Sequence, residues 1–280
     1  MARTTNLRVT ASVFLTLAFG LLFAMLLDFK TFLAYGRTLV RPETALAVLL
    51  YAGAFHVRAF AWGDADEKKG RHAYYVASLY TGLAINHLFP VKLGETVRFL
   101  TGRLLGSPAK RTMAILAAQR GVDLVVLGGL VAFGLVASSG VVSIVALLSG
   151  ITIIVFVRRY VKSLLVLSSL SAWILEGLAV WCLLIGAGVS LSFANVLVAM
   201  SAGVLSGIFQ FTPGGFGTYE LAMGAVLKAY GVAGAFEIAL MTHAFKYAFA
   251  YGAFCYVFVR HPKWMRSLLS LFRQRGAERM

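Results

Sequence analysis

Residues 211–220 read FTPGGFGTYE inside a long apolar run, and the reading of this stretch decides the fold. Pro213 has no amide hydrogen to give a helix and clashes with the turn before it. Gly214, Gly215 and Gly217 free the backbone for conformations that other residues avoid. Glu220 carries a charge that is expensive at membrane depth. A straight lipid-facing helix holds none of these. The stretch predicts a helix that stops near Gln210, turns through the glycines and restarts with Thr218 as N-cap.

The rest of the chain places this break in a membrane. Of 280 residues, 60% are hydrophobic and 13% charged, against roughly 45–50% and about 25% in soluble domains. Mean hydropathy is +0.83. A soluble core does not absorb so much apolar surface, and the composition implies an all-α polytopic membrane protein. The net charge of +15 suits anionic headgroups rather than nucleic acid, because the basic residues cluster at the ends of apolar runs. Cys182 and Cys255 lie in such runs and read as small buried hydrophobes. The N-terminus is expected to be a retained first span rather than a cleaved signal.

Six segments have the length of spans: 9–27, 43–61, 111–137, 141–157, 163–186 and 233–259. Two others, 72–105 and 191–230, are interrupted midway, the first at Pro90 and Gly94. Broken backbone is tolerated at membrane depth only where it is buried in protein or lines a wet cavity. Both therefore read as re-entrant helical hairpins. With the N-terminus inside, the Lys and Arg residues outside are Lys30, Arg37, Arg41 and Lys228, while Arg58, Arg120 and Lys246 fall within spans. The others lie inside, as the positive-inside rule requires. The order span, span, hairpin, span then occurs twice with opposite sense. This is an inverted repeat with halves near 1–137 and 138–262, followed by a basic amphipathic tail at 263–280. Paired interrupted segments point to a transport site near the midplane.

The first break reads NHLFPVKLGETVRFL over 86–100. Asn86 ends one half-helix, Glu95 begins the next, and Arg98 shares the Glu95 face at i,i+3. QRGVD at 119–123 puts Gln119, Arg120 and Asp123 on one face, with Arg120–Asp123 an expected ion pair. Arg58, beside His56, is expected to snorkel to the inner interface. Glu176 must be protonated or paired, with Lys246 or Arg120 as partner. His243, Lys246 and Tyr247 share a face of the last span. Trp62, Tyr74, Tyr75 and Trp264 read as interface aromatics. The chain carries no P-loop, G-x-S-x-G or metal triad, which argues against ATP-driven transport by this chain alone and leaves an intramembrane enzyme as an alternative; no metal or cofactor is expected.

The ordered set Asn86, Pro90, Gly94-Glu95, Arg98, Arg120, Asp123, Pro213-Gly214-Gly215, Gly217 and Glu220 resembles the flippase-like family, the transmembrane region of lysylphosphatidylglycerol synthases. The resemblance covers nearly the whole chain. Gln119 stands where that family often has an acidic residue, and His243 and Lys246 stand where it often has an arginine.

The resemblance implies that the chain moves a polar-headed lipid between leaflets, here of the bacterial inner membrane; the charge distribution puts both termini on the cytoplasmic side. The lipid would be a phospholipid, an aminoacyl-lipid, a hopanoid or a polyprenyl-linked glycolipid. Lipid-synthesis enzymes are expected partners, and nucleic acid is not. The chain would be a stand-alone member without the synthase domain. The expected substrate contacts are Asn86, Glu95, Arg98, Arg120, Asp123, Gln210, Glu220, His243 and Lys246, with Arg98 and Arg120 on the phosphate or other anionic group and Glu95 and Glu220 neutralising a cationic headgroup or exchanging a proton. The other readings are an intramembrane enzyme acting on a lipid-linked sugar or phosphate, and a non-catalytic subunit of a lipid-synthesis complex.

Overall fold

Ten α-helices and no strand are found in the computed structural model, among the residues it describes. These are 27–68, 70–89, 92–136, 163–209 and 212–277, with the isolated positions 17, 21 and 25. The expected spans 9–27 and 141–157 lie almost wholly outside them. So do the expected boundary between halves, Pro90 and Gln210.

Helix α1, Phe29–Arg37, is capped by Asp28, whose carboxylate accepts the Lys30 and Thr31 amides at 3.0 and 3.3 Å. The Asp28 amide donates to Glu237 at 3.0 Å and so ties α1 to a later helix. Helix α2, Pro42–Ala65, opens with proline at its first turn, where the missing donor costs nothing. It pairs most extensively with α6, Ser163–Gly186. The pairing is antiparallel: Gly53 approaches Leu175, and Gly186 approaches Glu43. Each helix buries a small residue at every seventh position, Ala47, Ala54 and Ala61 on α2 and Ala172, Ala179 and Gly186 on α6. Small side chains let two backbones approach closely where lipid offers no hydrophobic drive.

Between these helices lie α3, His72–Leu88, α4, Gly94–Leu104, and α5, Ala109–Val136. After α6 come α7, Phe193–Ser206, and α8, Thr218–Ala229, joined through short 3₁₀ turns at Gly207–Phe209 and Pro213–Gly215. Helices α9, Ala235–Arg260, and α10, Pro262–Ala277, complete the chain. The helix–break–helix expectation holds at both places. At 1.5 Å per residue α3, α4, α7 and α8 reach only about 16–26 Å, short of a ~30 Å hydrocarbon core. Each pair packs against itself, α3 on α4 and α7 on α8.

The ends of the first pair meet. Asp66, after α2, accepts Tyr75 of α3 and Ser107 beyond α4, each at 2.5 Å. Arg111 of α5 donates to the Ala65 carbonyl at 2.8 Å and pairs with Glu67 at 2.7 Å. The chain thus enters α3 and leaves α4 at one knot.

Some expectations change. Among the described residues three helices are long and apolar enough to cross a membrane: α2, the Ala109–Ala132 part of α5, and α6. Helix α9 has the length but not the composition, because it buries Glu237, His243 and Lys246 in the protein. Gly217, not Thr218, caps α8; it takes φ 89°, while the Thr218 hydroxyl turns back to the Gly215 carbonyl at 2.9 Å. Trp62 and Tyr75 are fully buried against each other rather than at an interface. On α10, Trp264, Met265 and Leu268 are buried in the core that contains α4, so this amphipathic face covers protein. Cys182 is half-buried and Cys255 exposed.

Candidate functional site

The two breaks face each other. His87, one turn before the first break, stacks edge-on to Tyr247 of α9 with centroids 4.4 Å apart. The Tyr247 hydroxyl donates to the Pro213 carbonyl of the second break at 2.8 Å. Gly214, at φ 63°, fits between them; a Cβ there would overlap the Tyr247 ring and hydroxyl. Asn86 spans the first break by accepting the Gly94 amide at 2.7 Å. Gly94 lies so close to Gly82 and Asn86 that no side chain would fit.

A cavity of about 490 Å³ opens between the breaks. Asn86, His87, Gly94, Glu95 and Arg98 line it from the first. Gly207, Gly214 and Tyr219 line it from the second, and His243 and Lys246 from α9. Arg120 and Asp123 of α5, Arg58 of α2 and Glu176 of α6 close it. Buried charges survive only when paired, and here Arg58, Arg98, Asp123 and Glu176 form one network with the partly buried Glu95 and the exposed Arg120. Glu95 holds Arg98 at 3.1 Å and, more closely, Arg120. Arg98 also donates to Gln119 and lies 5.0 Å over the Trp62 ring. Arg120 reaches Asp123 at 3.6 Å, and Asp123 accepts the Trp173 indole at 2.9 Å. Arg58 bridges Glu176 at 3.0 Å and Asp123 at 3.8 Å.

The expected pair Arg120–Asp123 is present, and so is the shared face of Glu95 and Arg98. Arg58 does not snorkel: its side chain is 12% exposed, and it is the ion-pair partner of Glu176 in place of the expected Lys246 or Arg120. Glu220 also differs from the expectation. It is fully buried and stands behind the cavity wall. One carboxylate oxygen accepts the Gly217 amide at 2.8 Å, as a capping box does, and the other holds His243 Nδ1 at 2.6 Å. Pro213, Gly215 and Gly217 shape the turn without lining the space.

Reading along the chain missed Arg58, Glu176, His87, Lys92 and Tyr219 as cavity residues. Arg58 and Glu176 had a signal, since each is a charge within an apolar run and needs a partner. No spacing rule links positions 118 residues apart.

The class is thus an all-helical, membrane-type protein built around a charged internal cavity. Residues 158–253, about a third of the chain, match the family described as the lysylphosphatidylglycerol synthase TM region, which bears out the resemblance over that part; the residues between 86 and 123 that also carry it lie outside the match. The match takes in the second break, Glu220, His243 and Lys246. No curated protein and no solved structure matches the chain.

Proposed function

We propose that this chain carries a polar-headed lipid between the leaflets of a bacterial inner membrane, without a chemical step. The observation that supports this reading is the cavity itself, with half-helices broken at its centre and ionisable groups committed to its walls. Non-helical backbone and charge at membrane depth are costly. A purely structural part has no need of a space left open between them. The headgroup would pass through the cavity while the acyl chains stay in lipid. Lipid-synthesis enzymes would supply the substrate on the cytoplasmic side, the side that the positive-inside rule favours for both termini. The matched family, named for a lipid synthase, agrees with a lipid-related role.

Purified protein in liposomes carrying fluorescent lipids should accelerate leaflet exchange. Glu95→Gln and Arg98→Ala should slow it about tenfold or more, since losing a buried charge contact exceeds ~1.4 kcal/mol. Glu220→Gln should do so through His243 and the second break. Wild-type exchange by all three folded variants would sink the assignment. Product formation from a lipid-linked substrate without leaflet exchange would make the chain an enzyme instead.

A further inference from the structure

The charges around the cavity do not balance. Glu95, Asp123 and Glu176 are all engaged, by Arg98 and Arg120, by Arg120 and the Trp173 indole, and by Arg58. Glu220, behind the wall, is engaged by the Gly217 amide and His243. The same contacts use up the three arginines as counter-ions. Lys246 stands apart. It is 5% exposed and lines the cavity. Among the described residues no carboxylate lies within ion-pair distance of it, Glu176 meeting its charge only from farther off, and its Nζ rests 4.6 Å over the Tyr219 ring. A cation–π contact contributes about 0.5–2 kcal/mol, far less than the several kcal/mol needed to desolvate an ammonium. Lys92 lines the same cavity and also has no ion pair among the described residues.

A cationic headgroup would find every carboxylate already taken. An anionic one would find Lys246 open. Arg58 Nη1 is buried, meets Asp123 only at 3.8 Å and has no hydrogen-bond acceptor, so its donor capacity is not filled. We infer that the cavity selects a lipid with a net anionic headgroup, holds its phosphodiester at Lys246 and rejects headgroups that carry an added ammonium. This rests on the lipid-translocation reading and narrows its substrate. It also moves the phosphate contact from Arg98 and Arg120, which Glu95 and Asp123 neutralise, to α9.

The test compares phosphatidylglycerol with its cationic lysyl ester, tails matched, on the full chain. Melting in detergent reads binding, and liposome exchange reads transport. Phosphatidylglycerol should raise the melting temperature and the lysyl ester should not. Lys246→Met should weaken phosphatidylglycerol binding about tenfold, the loss of one hydrogen bond to a charged group, and Lys246→Arg should keep it. Equal or stronger binding of the lysyl ester overturns the inference, as does full phosphatidylglycerol binding by a folded Lys246→Met. An equal shift from inorganic phosphate alone would assign the site to a soluble anion and overturn the lipid. Selective phosphatidylglycerol binding with no exchange of either lipid would refute translocation and uphold the headgroup assignment.

Discussion

A carboxylate inside an apolar run must be matched within a few ångströms, and Arg58 shows how particular the match is. Its guanidinium sits 3.0 Å from Glu176 and 4.6 Å from the Trp173 ring centroid, so charge and aromatic face are both met. Removing one partner of such a pair strands the other. Arg58→Ala should therefore destabilise the protein by about 3–5 kcal/mol in detergent unfolding, while Arg58→Met/Glu176→Met should recover most of the loss. An Arg58→Ala variant as stable as the wild type would mean that the pair is solvated. At this scale the sequence showed that both residues needed partners. It did not show which, because the partner is chosen by how α2 and α6 cross.

Elements are joined here by residues that are absent as much as by those present. Gly94 lets the start of α4 lie against Gly82 and Asn86 of α3. A Cβ at Gly94 would come within 2.7 Å of the Asn86 amide nitrogen, so Gly94→Ala should cost about 1–3 kcal/mol of thermal stability through overpacking. Gly121, on α5, has nothing within 4 Å of an added Cβ. Gly121→Ala should be neutral or stabilising by about 0.5–1 kcal/mol, as for a helix-interior glycine. Equal effects of the two would show that the α3–α4 approach is loose. Proline and glycine made both breaks legible in the sequence. The cap of α8 was misread because a hydroxyl residue is the commoner cap. Here the left-handed turn demanded a glycine, and Glu220 supplied the reciprocal bond.

For the molecule as a whole, the question is on which side each hairpin begins and ends. The Asp66 knot brings the start of α3 and the end of α4 together. In a variant lacking Cys182 and Cys255, single cysteines at Arg71 and Lys110 should label from one side of the membrane. Cysteines at Ser190 and Lys228 should label from the other. Labelling of the first two from opposite sides would make 72–105 a full crossing and overturn the expectation of an inverted repeat.

The sequence by itself determined that the protein is helical and membrane-type, where two helices break, and which polar residues are too costly to be idle. Those properties are local: hydropathy, the missing proline donor and the freedom of glycine act within a turn or two. Only the tertiary structure decided that the breaks face each other, that Arg58 closes on Glu176, that Glu220 retires behind His243 and that Lys246 is left open. Charge pairing in a low-dielectric interior depends on distance in space, and residues 21 to 118 positions apart in the chain meet there only once the helices have packed.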